Sequence, residues 1–596
     1  MNSSLNHVYR IIWNAALGLW QVASEATRGR GKTGSSQQAR KARRALAAAT
    51  AMTLASPAAW AVLPTGGNVV AGSATISQAG SALNINQASD KAAIDWQSFS
   101  IGQGNSVNFV QPSATSVALN RVLGNDVSVI QGAINANGQV FLVNQNGVLF
   151  TPTAQVNVGG IVASTQNIST ADFMAGKYEF SGNSTATVEN QGSITAANGG
   201  VVALVAAKVI NSGTITAPQG TVGLAAGNTV LLDLGGPVKI QVTEGALNAA
   251  IEQSGGIRAD GGTIYLTAKA AGNLAASVIN HSGVTRALTM ASLTGEPQGQ
   301  TGSIALSADQ INHTGTLDVS GLLAGQHGGD ILAQGKHYTD SGTTLADGAA
   351  QGGNIDVRAT NITQTQGAKV SASSSDGQGG RIEMIGDLGN GRAEFAGQIL
   401  ATGRRRGGFI ETSGATVKLN ENTLRINAGS SEGKAGIWVI DPKDYTIAAS
   451  GGDVTGAFLS QQLKNQSVQI YSTQGASEGN GDIHVNDTIT ATSGQSLELY
   501  AERDININKS ISINLLLLAA KGSVNVNDVV TVNEYLELNY GANSNFSANT
   551  SVRPSDTAAL NMKMTRDGFV GKINLGVSAN EVSINGNAQS IVRTAT

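Results

Sequence analysis

Hydrophobic side chains recur at every second position in short runs along most of the chain. Val202, Leu204 and Ala206 form one such run, repeated as Val222/Leu224/Ala226, Ile264/Leu266/Ala268, Ile304/Leu306/Ala308 and Ile355/Val357/Ala359. Nearer the C-terminus Ile483/Val485, Ile505/Ile507 and Val524/Val526 keep the pattern, and Leu497/Leu499, Leu516/Leu518 and Leu536/Leu538 form a parallel series. Period two predicts strands with one buried face, and no comparable run has helical period. Whole units return as well: Asn190-Gln191-Gly192-Ser193-Ile194-Thr195-Ala196 reappears 21 residues later as Asn211-Ser212-Gly213-Thr214-Ile215-Thr216-Ala217. Strand sets recurring every 19–28 residues between Gly-Gly, Asn-Gly and Ser-Gly pairs predict an all-β fold, a parallel β-helix whose coils lie on one another. About 24 coils at about 4.8 Å each give a rod on the order of 100 Å. Two stretches break the rhythm. Residues 62–183 are richer in aromatics, and residues 437–447 precede 454–463, the best short-helix candidate after the leader.

Composition supports this reading. Glycine is 75 of 596 residues, proline 9, cysteine 0, charged residues 13% and aromatics 4%, while 41% are hydrophobic. A core is therefore available, collagen and disordered classes are excluded, and there can be no disulfide or cysteine–zinc site. Small interior residues suit a narrow bore. Residues 1–61 hold eight of the 37 basic residues and one of the 40 acidic ones, so the leader carries +7 and the remainder −10. A mildly acidic body is the wrong surface for nucleic acid.

The leader reads as an address label. Arg40-Lys41-Ala42-Arg43-Arg44 precedes an apolar run, Ala45 to Ala59, too short to span a bilayer, and Ala59-Trp60-Ala61 places small residues where signal peptidase cuts. Cleavage after Ala61 makes Val62 the first mature residue. Upstream, Asn6-His7-Val8-Tyr9-Arg10-Ile11-Ile12-Trp13-Asn14, Trp20, Ser24-Glu25 and Arg28-Gly29-Arg30 resemble the extended signal peptide region of very large Gram-negative surface proteins of the autotransporter and two-partner secretion families.

The start of the mature chain carries a second resemblance. Leu63-Pro64-Thr65-Gly66-Gly67 is followed by Ile94-Asp95-Trp96-Gln97-Ser98-Phe99-Ser100-Ile101-Gly102, by Val107-Asn108-Phe109, by Ala118-Leu119-Asn120-Arg121-Val122, and by the run Gly138 to Phe150. This order resembles the secretion domain of the filamentous haemagglutinin family, the exported (TpsA-type) partners of two-partner secretion. Residues 437–447 and the segment after them resemble the high-molecular-weight adhesins of that family. The resemblance implies a right-handed β-helix capped at its N-terminus. It also implies Sec-dependent export, signal-peptidase cleavage, and passage through a separate outer-membrane β-barrel transporter with POTRA domains (TpsB-type). Asn144-Gln145-Asn146-Gly147-Val148 matches the family's Asn-Pro-Asn-Gly-Ile secretion motif with glutamine for proline; Asn-Pro-Asn-Leu is absent verbatim, and Asn120-Arg121-Val122 is the second possible motif. The implied organisation is signal peptide 1–61, secretion domain 62–307, repeat rod 308–436, a helix-bearing decoration 437–480, and further coils 481–596.

Candidate chemistry is sparse. His281 and His313 lie in matching Asn-His-Ser-Gly and Asn-His-Thr-Gly stretches and read as turn residues. His327/Asp330 and His337/Asp340 are two His-x-x-Asp pairs in glycine-rich sequence, and no metal or cofactor is expected. Asp441/Asp444 and Asp482/Asp487 read as turn and cap residues rather than an acid–base pair. Arg404-Arg405-Arg406 reads as a solvated corner, with contact to anionic glycans as the alternative. The expected function is non-enzymatic: a secreted or cell-surface adhesin for host or neighbouring-cell surfaces, receptor unspecified, with no membrane span in the mature chain. The alternatives are the stalk of a contact-dependent toxin delivery protein, disfavoured by the short stretch left after Leu538, and a polysaccharide-active β-helix enzyme.

Overall fold

The computed structural model describes residues 9–14, 19–24, 62–233, 239–272, 275–291, 299–472 and 479–540, with short strands beyond, between residues 551 and 594. It divides into two compact units, Met1–Trp60 and Ala61–Thr596. In the first, Tyr9–Asn14 and Leu19–Ser24 form an antiparallel pair.

The second unit is a parallel β-helix. A coil is visible in Gln139–Val143, Val148–Phe150 and Gln155–Val158, after which Gly160–Ser164 lies parallel on Gln139–Val143 and starts the next coil. Three strands per coil form three faces. One face is a sheet of 14 strands, from Ala74–Ala79 to Arg425–Asn427. On another face, one ladder of register partners runs Val140, Ile161, Val202, Val222, Ile264, Ile304, Ile331, Ile355, Ile382, Ile410, Trp438, Val468, Leu497, Leu516, Leu536. Each is at most 2% exposed. Burying each side chain is worth roughly 1.5–3 kcal/mol, repeated coil after coil. The alternating residues in the sequence are the inward positions of these strands.

The N-terminal end is closed differently. Asn68–Ala71 and Ala74–Ala79 pair antiparallel with Lys91–Trp96 and Ala82–Gln87, and Trp96 packs edge-on to Phe99 at 5.4 Å over the first coil. Antiparallel strands laid across the opening cover apolar side chains that a further coil would otherwise bury. A second layer covers one outer face. The helix Thr170–Ala175 and the antiparallel strands Tyr178–Ser181, Thr229–Asp233 and Lys239–Glu244 bury Phe173, Phe180 and Leu232 against outward-facing Leu119, Phe141 and Val205. Strands such as Val201–Ala206 are consequently buried on both faces, which explains the near-continuous apolar sequence there.

Between residues 437 and 480, Ile437–Ile440 and Ser467–Ser472 remain rungs of the main ladder, while Tyr445–Ile447 opens a new four-stranded sheet with Ile483–Val485, Ile505–Ile507 and Val524–Val526. The helix Gly456–Gln462 fills the change of sheet. Thr455 caps it, accepting from the Phe458 amide, and Leu459 and Leu463 enter the core.

The expectation that His281 and His313 are turn residues is corrected. Both are fully buried at inward positions, two residues after Ile279 and Ile311. Strand alternation extends through Asn-His before the glycine turn begins. Asn190 and Asn211 occupy the same interior column.

Candidate secretion site near the capped end

Asn144–Val148 forms the bend between Gln139–Val143 and Val148–Phe150. The Gly147 amide donates to the Asn144 carbonyl at 3.0 Å and the Asn146 amide to Asn144 Oδ1 at 2.9 Å, an Asx-type turn. Gly147 has φ +118°, open to glycine but costly for other residues. Asn144 is fully buried, and its Nδ2 donates to the Asp126 carbonyl and to Ser128 Oγ, both at 2.9 Å. Asn146 Nδ2 donates to the Gly124 carbonyl at 2.8 Å. The two asparagines therefore grip residues 124–128 of the preceding coil. On that loop Leu123 is 62% and Val127 44% exposed. Gln145 faces solvent, and its carbonyl accepts from Ser184 Oγ at 2.6 Å. Val148 turns inward above Val188.

Asn120, Arg121 and Val122 hold the next joint. Asn120 is fully buried, and its Oδ1 accepts the Trp96 indole N–H at 3.0 Å. Arg121 forms a two-point ion pair with Asp95 at 2.9 and 3.1 Å and also donates to the Ile168 carbonyl and Thr170 Oγ1, at 3.3 and 3.1 Å. One guanidinium thus ties the capping region to the start of the second-layer helix. Lys91 closes the other end of that helix through the Phe173 and Met174 carbonyls. Asp95 and Trp96 stood in the sequence pattern, but their pairing with Arg121 and Asn120 across a coil had no local signal. Ala59 and Ala61 lie outside the described residues. Val62 is 46% exposed, and its carbonyl accepts the Gly102 amide at 2.8 Å.

The other candidates are scattered. His327 sits on a corner, Asp330 and His337 are exposed on strand Asp330–Asp340, and Asp340 is buried in the bore. Among the described residues no group of three His, Cys, Asp or Glu side chains is placed to hold a metal ion. Asp444 Oδ1 accepts the Gly481 and Asp482 amides, Asp487 accepts the Gly456 amide at the helix start, and Asp482 pairs with Arg503. Trp96 and Trp438 are both buried, so neither offers a sugar platform.

Comparison with known proteins places these features in context. The model of the TPS secretion domain matches residues 61–317, and that of the Extended Signal Peptide of Type V secretion system matches residues 6–54. A heme/hemopexin-binding protein of Haemophilus influenzae strain Rd is 34% identical over 274 residues, 44% of this chain and 29% of that protein. Another H. influenzae protein of that name is 47% identical over 98 residues, 16% of this chain and 11% of that protein. The chain thus spans less than a third of the length of these relatives. The crystal structure of the HMW1 secretion domain from H. influenzae is matched over its full length and 63% of this chain, at 27% identity and TM-score 0.54.

Proposed function

We propose that the chain, an exported TpsA-type protein of two-partner secretion that is secreted across the outer membrane, passes through a POTRA-bearing β-barrel of TpsB type after Sec export and cleavage before Val62, and acts outside the cell by binding a surface. The observation that carries the export reading is the secretion-domain match over residues 61–317, which contains the capping strands, the second layer and both asparagine motifs. Asn144 and Asn146 serve export in this reading by fixing residues 124–128 beside exposed Leu123 and Val127, the face offered to the transporter.

The test is secretion with the cognate barrel. Asn146→Ile should cut extracellular protein severalfold while signal-peptide cleavage continues. Asn390→Ile, at an exposed turn far from the cap, should leave it unchanged. Equal secretion by Asn146→Ile and wild type removes the turn from the mechanism. Asn211→Ile is no neutral control, because Asn211 is buried.

For the role outside the cell, adhesion is the first reading, carried by a long stack of coils with broad polar faces. A second reading, binding of haem or of a haem-carrying protein, is favoured by the names of the relatives. Adherence of cells displaying the chain tests the first; a Soret band on haem titration, or capture of hemopexin, tests the second.

A further inference from the structure

Beyond the secretion domain, one corner of the stack is a trough. Its floor is the glycine pairs of successive coils. A Cβ built at Gly353, Gly380, Gly408 or Gly436 would stand 1.9–2.2 Å from the glycine oxygen of the coil before, so no side chain can fill the floor. One wall is the register column Gln351, Gln378, Arg406, Lys434. The other is Asn354, Arg381, Phe409, Ile437. A cavity of about 550 Å³ lies between them, within the range of small-ligand clefts. The bulge between Ala491 and Ser496 and the carboxylate of Glu498 close one end.

The charges of this trough are only partly spent. Arg404 pairs with Glu432 at 2.8 Å and Arg381 with Glu383, whereas Arg406, Lys434 and the neighbouring Arg405 have no carboxylate partner among the described residues. In a body of net charge −10, two unpaired cations in register on adjacent coils stand out. The Arg381 guanidinium lies over the Phe409 ring on the next coil of the same wall, 3.9 Å from its centroid, a cation–π contact.

We propose that this trough binds a linear acidic glycan, its carboxylates or sulphates on Arg406 and Lys434 and its hydroxyls on the amides of Gln351, Gln378 and Asn354. Cations one coil apart, at about 4.8 Å, match a polymer bearing acid groups at the spacing of sugar units. Amides beside cations suit a ligand that presents hydroxyls and acids together. The proposal refines the surface-binding reading, and the two fail separately: adherence of cells tests that reading, glycan titration tests the trough.

The experiment uses the secreted mature chain and three fluorescent probes: heparin, polygalacturonate and neutral dextran. Heparin or polygalacturonate should bind, more weakly as salt rises, and dextran should not. Arg406→Ala with Lys434→Ala should weaken binding about tenfold or more, since charge-assisted hydrogen bonds are lost. Lys208→Ala with Lys509→Ala, which removes equal charge elsewhere, should change it less than twofold. Arg406, Lys434 and Lys509 are exposed and Lys208 is half-buried, and matching circular dichroism verifies the fold. Equal weakening by the two pairs, full competition by duplex DNA, or binding of neither acidic glycan overturns the proposal.

Discussion

His281 and His313 occupy the column inside the stack where a hydrogen-bonded series of amides begins. Asn190 donates to Asn211 Oδ1 at 2.8 Å, and Asn211 to Gln253 Oε1 at 2.7 Å. The next coils place His281 Nδ1 3.0 Å from His313 Nδ1, and register then carries the column to Asp340. Two neutral rings facing this way share one N–H. Among the described residues His313 Nε2 and Asp340 Oδ2 have no hydrogen-bond partner, and Tyr338, also buried, faces Asp340 as well. Burial, and for His281 also the charge of His313, lowers the histidines to about 3 and about 4, while burial lifts Asp340 to about 7. The signs oppose. The histidines' contribution is whole above their unfolded pKa of about 6.5 and is lost as pH falls toward 4 and 3. Asp340 penalises the fold in the other direction: nothing is lost below about pH 4, and stability falls as pH rises to about 7. Asp340→Asn should therefore raise the urea midpoint at pH 8 and scarcely change it at pH 4. His281→Gln with His313→Gln should flatten the loss between pH 6.5 and 4. A parallel shift by Asp340→Asn at both pH values would show that its charge is not what matters.

At the scale of elements, Trp438 tests the ladder. It lies between Ile410 and Val468, fully buried, its indole N–H donated to Thr412 Oγ1 at 2.9 Å. Trp438→Ala should cost about 3–5 kcal/mol and leave a buried hydroxyl short of a donor. In a stack whose coils touch only their neighbours the damage stays local. Hydrogen exchange should speed up in strands Phe409–Ser413, Ile437–Ile440 and Ser467–Ser472 and remain slow in Val140 to Leu224; uniform loss of protection would contradict this. The ladder itself was legible from residues such as Ile264/Leu266/Ala268, because the period of a strand is local. The second layer was not. Phe173, Phe180 and Val230 carry no sign of the face they cover, since an outward-facing Val205 in a doubly buried strand looks like any apolar residue. The Asn144 turn was legible as a turn, whereas its grip on residues 124–128 depends on a coil boundary that sequence does not mark. The polar column failed for a related reason: Asn and His before glycine suggest a turn, although alternation places them inside.

At the scale of the whole chain, the location of its closed end decides how it can grow. The capping strands between Asn68 and Gln87, the Trp96–Asn120 bond and the Arg121–Asp95 pair all lie in the first coils, and later coils pair with their immediate neighbours. Such a stack needs its N-terminal coils to give the next strand a template. Each later coil then adds apolar burial at the growing end without a long-range loop to close. The secretion domain should thus fold alone, in keeping with the full-length match to a separate HMW1 secretion domain. A chain ending at residue 317, expressed with the barrel partner, should be cleaved to begin at Val62, secreted, and β-rich by circular dichroism. Arg121→Ala in that short chain removes the tie between Asp95 and the helix start at once. It should lower the midpoint of thermal unfolding and leave more of the chain degraded in the periplasm. In the full chain the same substitution should reduce secretion without altering urea unfolding of coils beyond residue 400, because those coils never touch the joint. Unfolding of distant coils together with the joint would mean the stack behaves as one cooperative block, and the ordered growth argued here would then fail.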